Sequence, residues 1–65
     1  MKHTKEEIKE YRQQLYEELC KIRENGKPYL TDEEARKMAN SPSVESLDYD
    51  MDYSSPELMA DILTM

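Results

Sequence analysis

Five apolar residues, Ile8, Tyr11, Leu15, Leu19 and Ile22, recur at intervals of 3, 4, 4 and 3, and no other feature constrains this chain as much. An α-helix turns by about 100° per residue, so the five fall on one stripe, whereas a strand would divide them between two faces. The ends agree with the spacing. Thr4 followed three residues later by Glu7 is a capping-box pattern, and Asn25-Gly26 before Pro28 reads as a stop signal. The sequence predicts a helix over 5–24, about 30 Å long at 1.5 Å per residue.

Few other residues can join that stripe in a core. Leu, Ile, Val and Phe together supply ten of the 65 residues, against a net charge of −6. Such a composition borders on that of disordered chains, and a domain of this size buries only about 60% of the surface its unfolded chain exposes. One small domain over 1–65 is expected, without room for a large internal active site. No run approaches the roughly 20 apolar residues of a membrane span, and residues 2–7 lack the apolar stretch of a signal peptide. The single cysteine, Cys20, allows no intrachain disulfide, which points to a reducing, cytoplasmic setting.

Charge is unevenly placed. Residues 1–28 carry seven Lys/Arg against six Glu, a net of +1, while 29–65 carry Arg36 and Lys37 against nine acids, a net of −7. On the helical wheel Lys5, Lys9, Arg12, Arg23 and Lys27 flank one side of the stripe, and Glu6, Glu7, Glu10, Glu17, Glu18 and Glu24 take the other. Flanks of opposite sign suit either a solvated surface or the choice of a partner helix, as in coiled coils. A homodimer through Ile8, Tyr11, Leu15, Leu19 and Ile22 is therefore expected to be parallel, since that arrangement sets unlike charges opposite.

The rest of the chain reads as shorter pieces. Thr31 to Glu34 repeats the capping box and opens a helix over 32–39, with Ala35, Met38 and Ala39 as its apolar face and Asn40-Ser41-Pro42 as its end. Leu47-Asp48-Tyr49-Asp50-Met51-Asp52-Tyr53 alternates strictly, and Asp is a poor helix-interior residue, so 47–53 is predicted extended. The helical spacing of Val44, Leu47 and Met51 is the alternative. Ser55-Pro56 then starts a last helix over 56–64. The expected fold is mainly α: a long N-terminal helix and two shorter helices with an acidic extended segment laid across them, centred on Leu15 and Leu19.

Residues 33–47, from Glu33-Glu34-Ala35 through Ser41-Pro42 to Leu47, resemble the helix-turn-helix of small transcription regulators. The turn glycine is absent, and the second helix would carry Glu45, Asp48 and Asp50 with no Lys or Arg. It would repel the phosphates that supply most DNA affinity, so no direct nucleic-acid binding is expected.

Catalysis is not expected either. Nucleophilic chemistry needs a nucleophile, a base and a group to orient the base, and the lone histidine, His3, is read as a surface residue of a frayed terminus, out of reach of Cys20. Asp48-x-Asp50-x-Asp52 opens like a calcium loop, but Tyr53 stands where glycine is needed and Met59 where a bidentate glutamate belongs. With Gly26 as the only glycine there is no phosphate-binding loop. No metal or cofactor is expected.

Surface recognition is left. Five Met and five Tyr with no Phe or Trp make the apolar complement adaptable, and beyond Lys37 it is interleaved with acids alone. That mixture suits docking on a basic protein surface with apolar pockets. The expected binding residues are Glu45, Asp48, Tyr49, Asp50, Asp52 and Tyr53, and the expected partner is a nucleic-acid-binding protein. In size and charge the chain is similar to phage or mobile-element inhibitors that compete with nucleic acid, such as anti-restriction and anti-CRISPR proteins. A self-associating helical module and an antitoxin-like chain that orders on its partner are the alternatives.

Overall fold

A computed structural model describes residues 2–65. The chain is mainly helical, with the order α1 (Lys5–Lys21), β1 (Arg23–Glu24), β2 (Lys27–Pro28), α2 (Asp32–Asn40), α3 (Val44–Asp50) and α4 (Pro56–Leu63). Each helix starts at a hydroxyl residue. Thr4 and Thr31 form complete capping boxes with Glu7 and Glu34, and Ser43 and Ser55 accept from the N–H groups of Ser46 and Leu58. These bonds satisfy N–H groups that the helix itself leaves unpaired.

α1 is the element on which the other helices pack, α2 and α4 chiefly and α3 to a lesser extent. Leu15, Leu19, Leu47 and Ala35 are fully buried, and Ile8, Tyr11, Ala39, Met59 and Ala60 close the core around them. The expected centre, Leu15 and Leu19, is therefore the centre found. Small residues on α2 matter here, because Ala35 and Ala39 let the thin face of a short helix lie close against α1. Arg12 fastens the end of that helix. Its guanidinium donates to the carbonyls of Ala39 at 3.1 Å and Pro42 at 2.8 Å, where α2 and the chain just beyond it have carbonyls without helical partners.

Two expectations fail, and a third meets an obstacle. The first helix stops at Lys21, and Asn25-Gly26 is the turn of a two-residue hairpin that pairs Arg23 with Pro28 and Glu24 with Lys27. Asn25 at φ 54° and Gly26 at φ 79° both occupy the left-handed region, as a type I′ turn requires. Asn-Gly is the residue pair best suited to that turn, so the signal read as a helix stop is a hairpin signal.

The second correction concerns 47–53, which is not extended: 44–50 is α3 and 51–53 is a turn. The Ser43 cap and the burial of Leu47, with Met51 half-buried one turn on, outweigh the poor helix propensity of Asp48 and Asp50. α2 and α3 are thus two helices joined through Ser41, Pro42 and Ser43, but each packs mainly on α1.

The obstacle concerns self-association, which a single chain does not test. Ile8, Tyr11, Leu15 and Leu19 are buried and Ile22 is half-buried within the single chain. A dimer through this stripe would have to displace the chain's own helices.

Candidate functional site

The acidic surface begins with α3. A helix places alternate residues about 200° apart, so Asp48 and Asp50 point to different sides, and Asp52 follows in the turn after α3. The three aspartates expected on one face are accordingly split. Asp50 accepts from the Ser46 hydroxyl at 3.3 Å. Asp48 and Asp52 turn instead to the residues that precede α1.

That contact is a clasp around His3. Asp48 accepts from the backbone N–H of Lys2 at 2.9 Å and of His3 at 2.7 Å, and its Oδ1 lies 2.9 Å from His3 Nδ1. His3 Nε2 is 3.2 Å from Asp52 Oδ1, and Lys2 Nζ is 3.4 Å from Asp52 Oδ2. Both imidazole nitrogens thus face carboxylates, and only the imidazolium donates from both at once.

The hydrogen bond that the His3 ring donates to Asp48 raises the His3 pKa above its ordinary 6.5, against an opposing effect of burial, and the charges of Asp52, Asp48 and Glu7 raise it further. In turn, Asp48 is lowered to about 2, first by the Lys2 N–H and then by the N–H and side chain of His3. His3 and Asp48 side chains are only 16% and 14% exposed. The reading of His3 as a frayed surface residue is therefore corrected, and Asp48 is occupied within the chain. Its internal partners are Lys2 and His3, not Lys5, Lys9 or Arg12. Sequence reasoning missed the pairing because nothing in a one-dimensional pattern joins residues 45 positions apart.

Of the other expected binding residues, Asp50 is half-buried and Asp52, though exposed, pairs with Lys2 and His3, while Glu45, Tyr49 and Tyr53 remain outward. Glu45 is exposed, and Tyr49 and Tyr53 are 62% and 66% exposed with ring centroids 5.0 Å apart. Four residues apart, they support each other across the end of α3 without entering the core. α4 adds Leu58 and Ile62, about half exposed, beside exposed Glu57 and Asp61. The sequence places Leu58, Met59, Ile62 and Leu63 within one arc of about 140° as the apolar face of the last helix, but the structure buries Met59, half-buries Leu63 and leaves Leu58 and Ile62 at the outer edge of that arc. Tyr11 is used internally: its hydroxyl donates to the Ser54 carbonyl at 2.9 Å, and burial, with the Asp50 charge adding, raises its pKa.

No group of three or more His, Cys, Asp or Glu side chains converges as a metal site among the described residues. No helix among them is long and apolar enough to cross a membrane. Comparison with protein-family models, curated proteins and solved structures finds no match.

Proposed function

We propose that this chain is a non-enzymatic binding module. Its acidic C-terminal half docks on a basic surface of a partner protein, of the kind that holds nucleic acid, and covers it as an inhibitor or regulator. One observation carries the reading: after Lys37 there is no Lys or Arg, and in that same stretch Tyr49, Tyr53, Leu58 and Ile62 stand exposed among Glu45, Asp52, Glu57 and Asp61. Carboxylates of one sign steer a basic partner toward the face, and tyrosine and aliphatic groups supply contact area once it arrives. The clasp leaves Asp48 out of this surface. The clasp also pairs Asp52 with Lys2 and His3, so the docking residues are Glu45, Tyr49, Tyr53, Glu57, Leu58, Asp61 and Ile62.

The test is capture of partners from the native cell on the immobilised chain, compared with a variant carrying Tyr49→Ser, Tyr53→Ser, Glu57→Gln and Asp61→Asn. The reading expects a basic protein that is held by the unaltered chain, released by raised salt or by heparin, and not held by the variant. A partner that resists salt and heparin, or that both chains hold equally, would contradict it.

A further inference from the structure

A basic cleft lies between α1 and α2. Lys9, Arg12, Gln13 and Tyr16 follow the i, i+3, i+4, i+7 pattern along one face of α1, and together with Arg36 and Asn40 of α2 they line a cleft of about 250 Å³. Lys9 and Arg12 belong to the basic flank read from the sequence, which the acidic segment leaves open. The lining contains three cations and no carboxylate. Asp32 is the nearby counter-charge: it accepts from Arg36 Nε at 3.0 Å and from the Tyr16 hydroxyl. Even with Asp32 counted, two positive charges are left over.

Arg12 is the telling member. It is half-buried, and both of its hydrogen bonds go to neutral carbonyls, so its charge has no carboxylate partner within ion-pair distance among the described residues. A partly desolvated charge ordinarily has a counter-ion. Arg12 is also held in place by those two bonds, and Arg36 by Asp32 and by the Tyr16 ring 5.2 Å beneath it. Two guanidinium groups are thus fixed beforehand, each with N–H groups left to donate, while Lys9, exposed and without an ion pair among the described residues, is able to close over an occupant. The overall negative charge does not cancel this local field, since screening reduces exposed charges beyond about 8 Å at physiological ionic strength.

We propose that this cleft binds a phosphate group, either free phosphate or the phosphoryl end of a small phosphate ester. Three cations around one small space suit a doubly charged, multi-oxygen anion better than a monovalent carboxylate. The volume lies below the roughly 300–1,000 Å³ of drug-sized ligand sites, which limits the occupant to the phosphate and a short attachment.

The experiment is a ¹H–¹⁵N NMR titration of the whole chain with inorganic phosphate, glycerol phosphate and acetate at constant ionic strength and pH. It is repeated on Lys9→Gln and Arg36→Gln, two exposed substitutions outside the core. The expected result is saturable shifts at Lys9, Arg12, Gln13, Arg36 and Asn40 with phosphate, at least tenfold weaker in each variant, and no saturation with acetate. Tighter binding of glycerol phosphate than of phosphate identifies an ester as the occupant, and equal binding identifies free phosphate. Shifts that do not saturate, that persist unchanged in both variants, or that acetate reproduces would overturn the proposal.

Discussion

The two halves of this molecule use similar local devices with different legibility. α1 and α2 carry a hydrophobic stripe in helical register, two complete capping boxes and charges of both signs, and local pattern and tertiary role coincide there. α3 and α4 are also capped at a serine, but the 47–53 segment alternates acid and apolar residues, and several apolar residues of both helices and the turn between them stay outside. The first half spends its hydrophobic residues on the core or against it, Tyr29 excepted. The second contributes Leu47, Met59 and Ala60 to that core and leaves Val44, Tyr49, Tyr53, Leu58, Ile62 and Met65 exposed. A chain with so few aliphatic residues would not be expected to leave six large side chains of one half outside unless packing had no place for them or another surface used them.

The sharpest way to break this contrast is to remove one core residue from each half. Leu15→Ala and Leu47→Ala both empty a fully buried site, and each should cost about 2–5 kcal/mol, enough to abolish a cooperative transition in so small a domain. Urea denaturation followed by circular dichroism checks this. A loss at Leu15 with none at Leu47 would mean that α3 is not part of the core.

Next in size are the caps. Thr31→Ala and Ser43→Ala each remove a side-chain acceptor at a helix start, for an expected loss of about 1 kcal/mol. Equal losses would show that α3 is held by the same local means as α2. No loss at Ser43 would leave Leu47 alone to hold that helix.

The clasp that joins the two halves predicts a pH dependence. The His3 pKa is raised above 6.5, so its contribution is fully present below about 6.5 and disappears as pH rises through the raised value. Asp48 is lowered to about 2 from 3.8, so its contribution is present above 3.8 and disappears as pH falls through about 2. The clasp therefore stabilises most between these limits. Melting temperature against pH should show the original chain gaining over His3→Asn in that window and converging with it in mild alkali; parallel profiles would contradict the clasp.

Smallest of all should be Tyr49→Ser with Tyr53→Ser, which touches only exposed rings. Their removal is expected to change stability by less than about 0.5 kcal/mol each. A large fall in melting temperature would move both tyrosines from the binding surface to the fold.

How much of this could be read in advance follows from the range of the interactions involved. Thr4, Thr31 and Ser55 act on residues three positions away, and the stripe from Ile8 to Leu19 repeats within one helix, so sequence alone located them. Asn25-Gly26 was visible but ambiguous, because glycine past a helix and glycine in a hairpin share the left-handed conformation. Segment 47–53 satisfied two periods at once, and tertiary burial of Leu47 decided between them. The His3–Asp48 contact and the bonds from Arg12 to Ala39 and Pro42 depend on chain separations of 45, 27 and 30. No local pattern encodes them. Of the candidate surface, Glu45, Tyr49 and Tyr53 were legible as exposed, whereas the pairing of Asp48 and Asp52 within the clasp was not.

The division into an inward N-terminal stripe and an outward acidic half is tested most directly by amide hydrogen exchange on the chain alone and on the chain bound to its captured partner. The account predicts slow exchange over 8–19 in both states, and new protection on binding confined to 44–63. New protection centred on α1, with 44–63 unchanged, would contradict it.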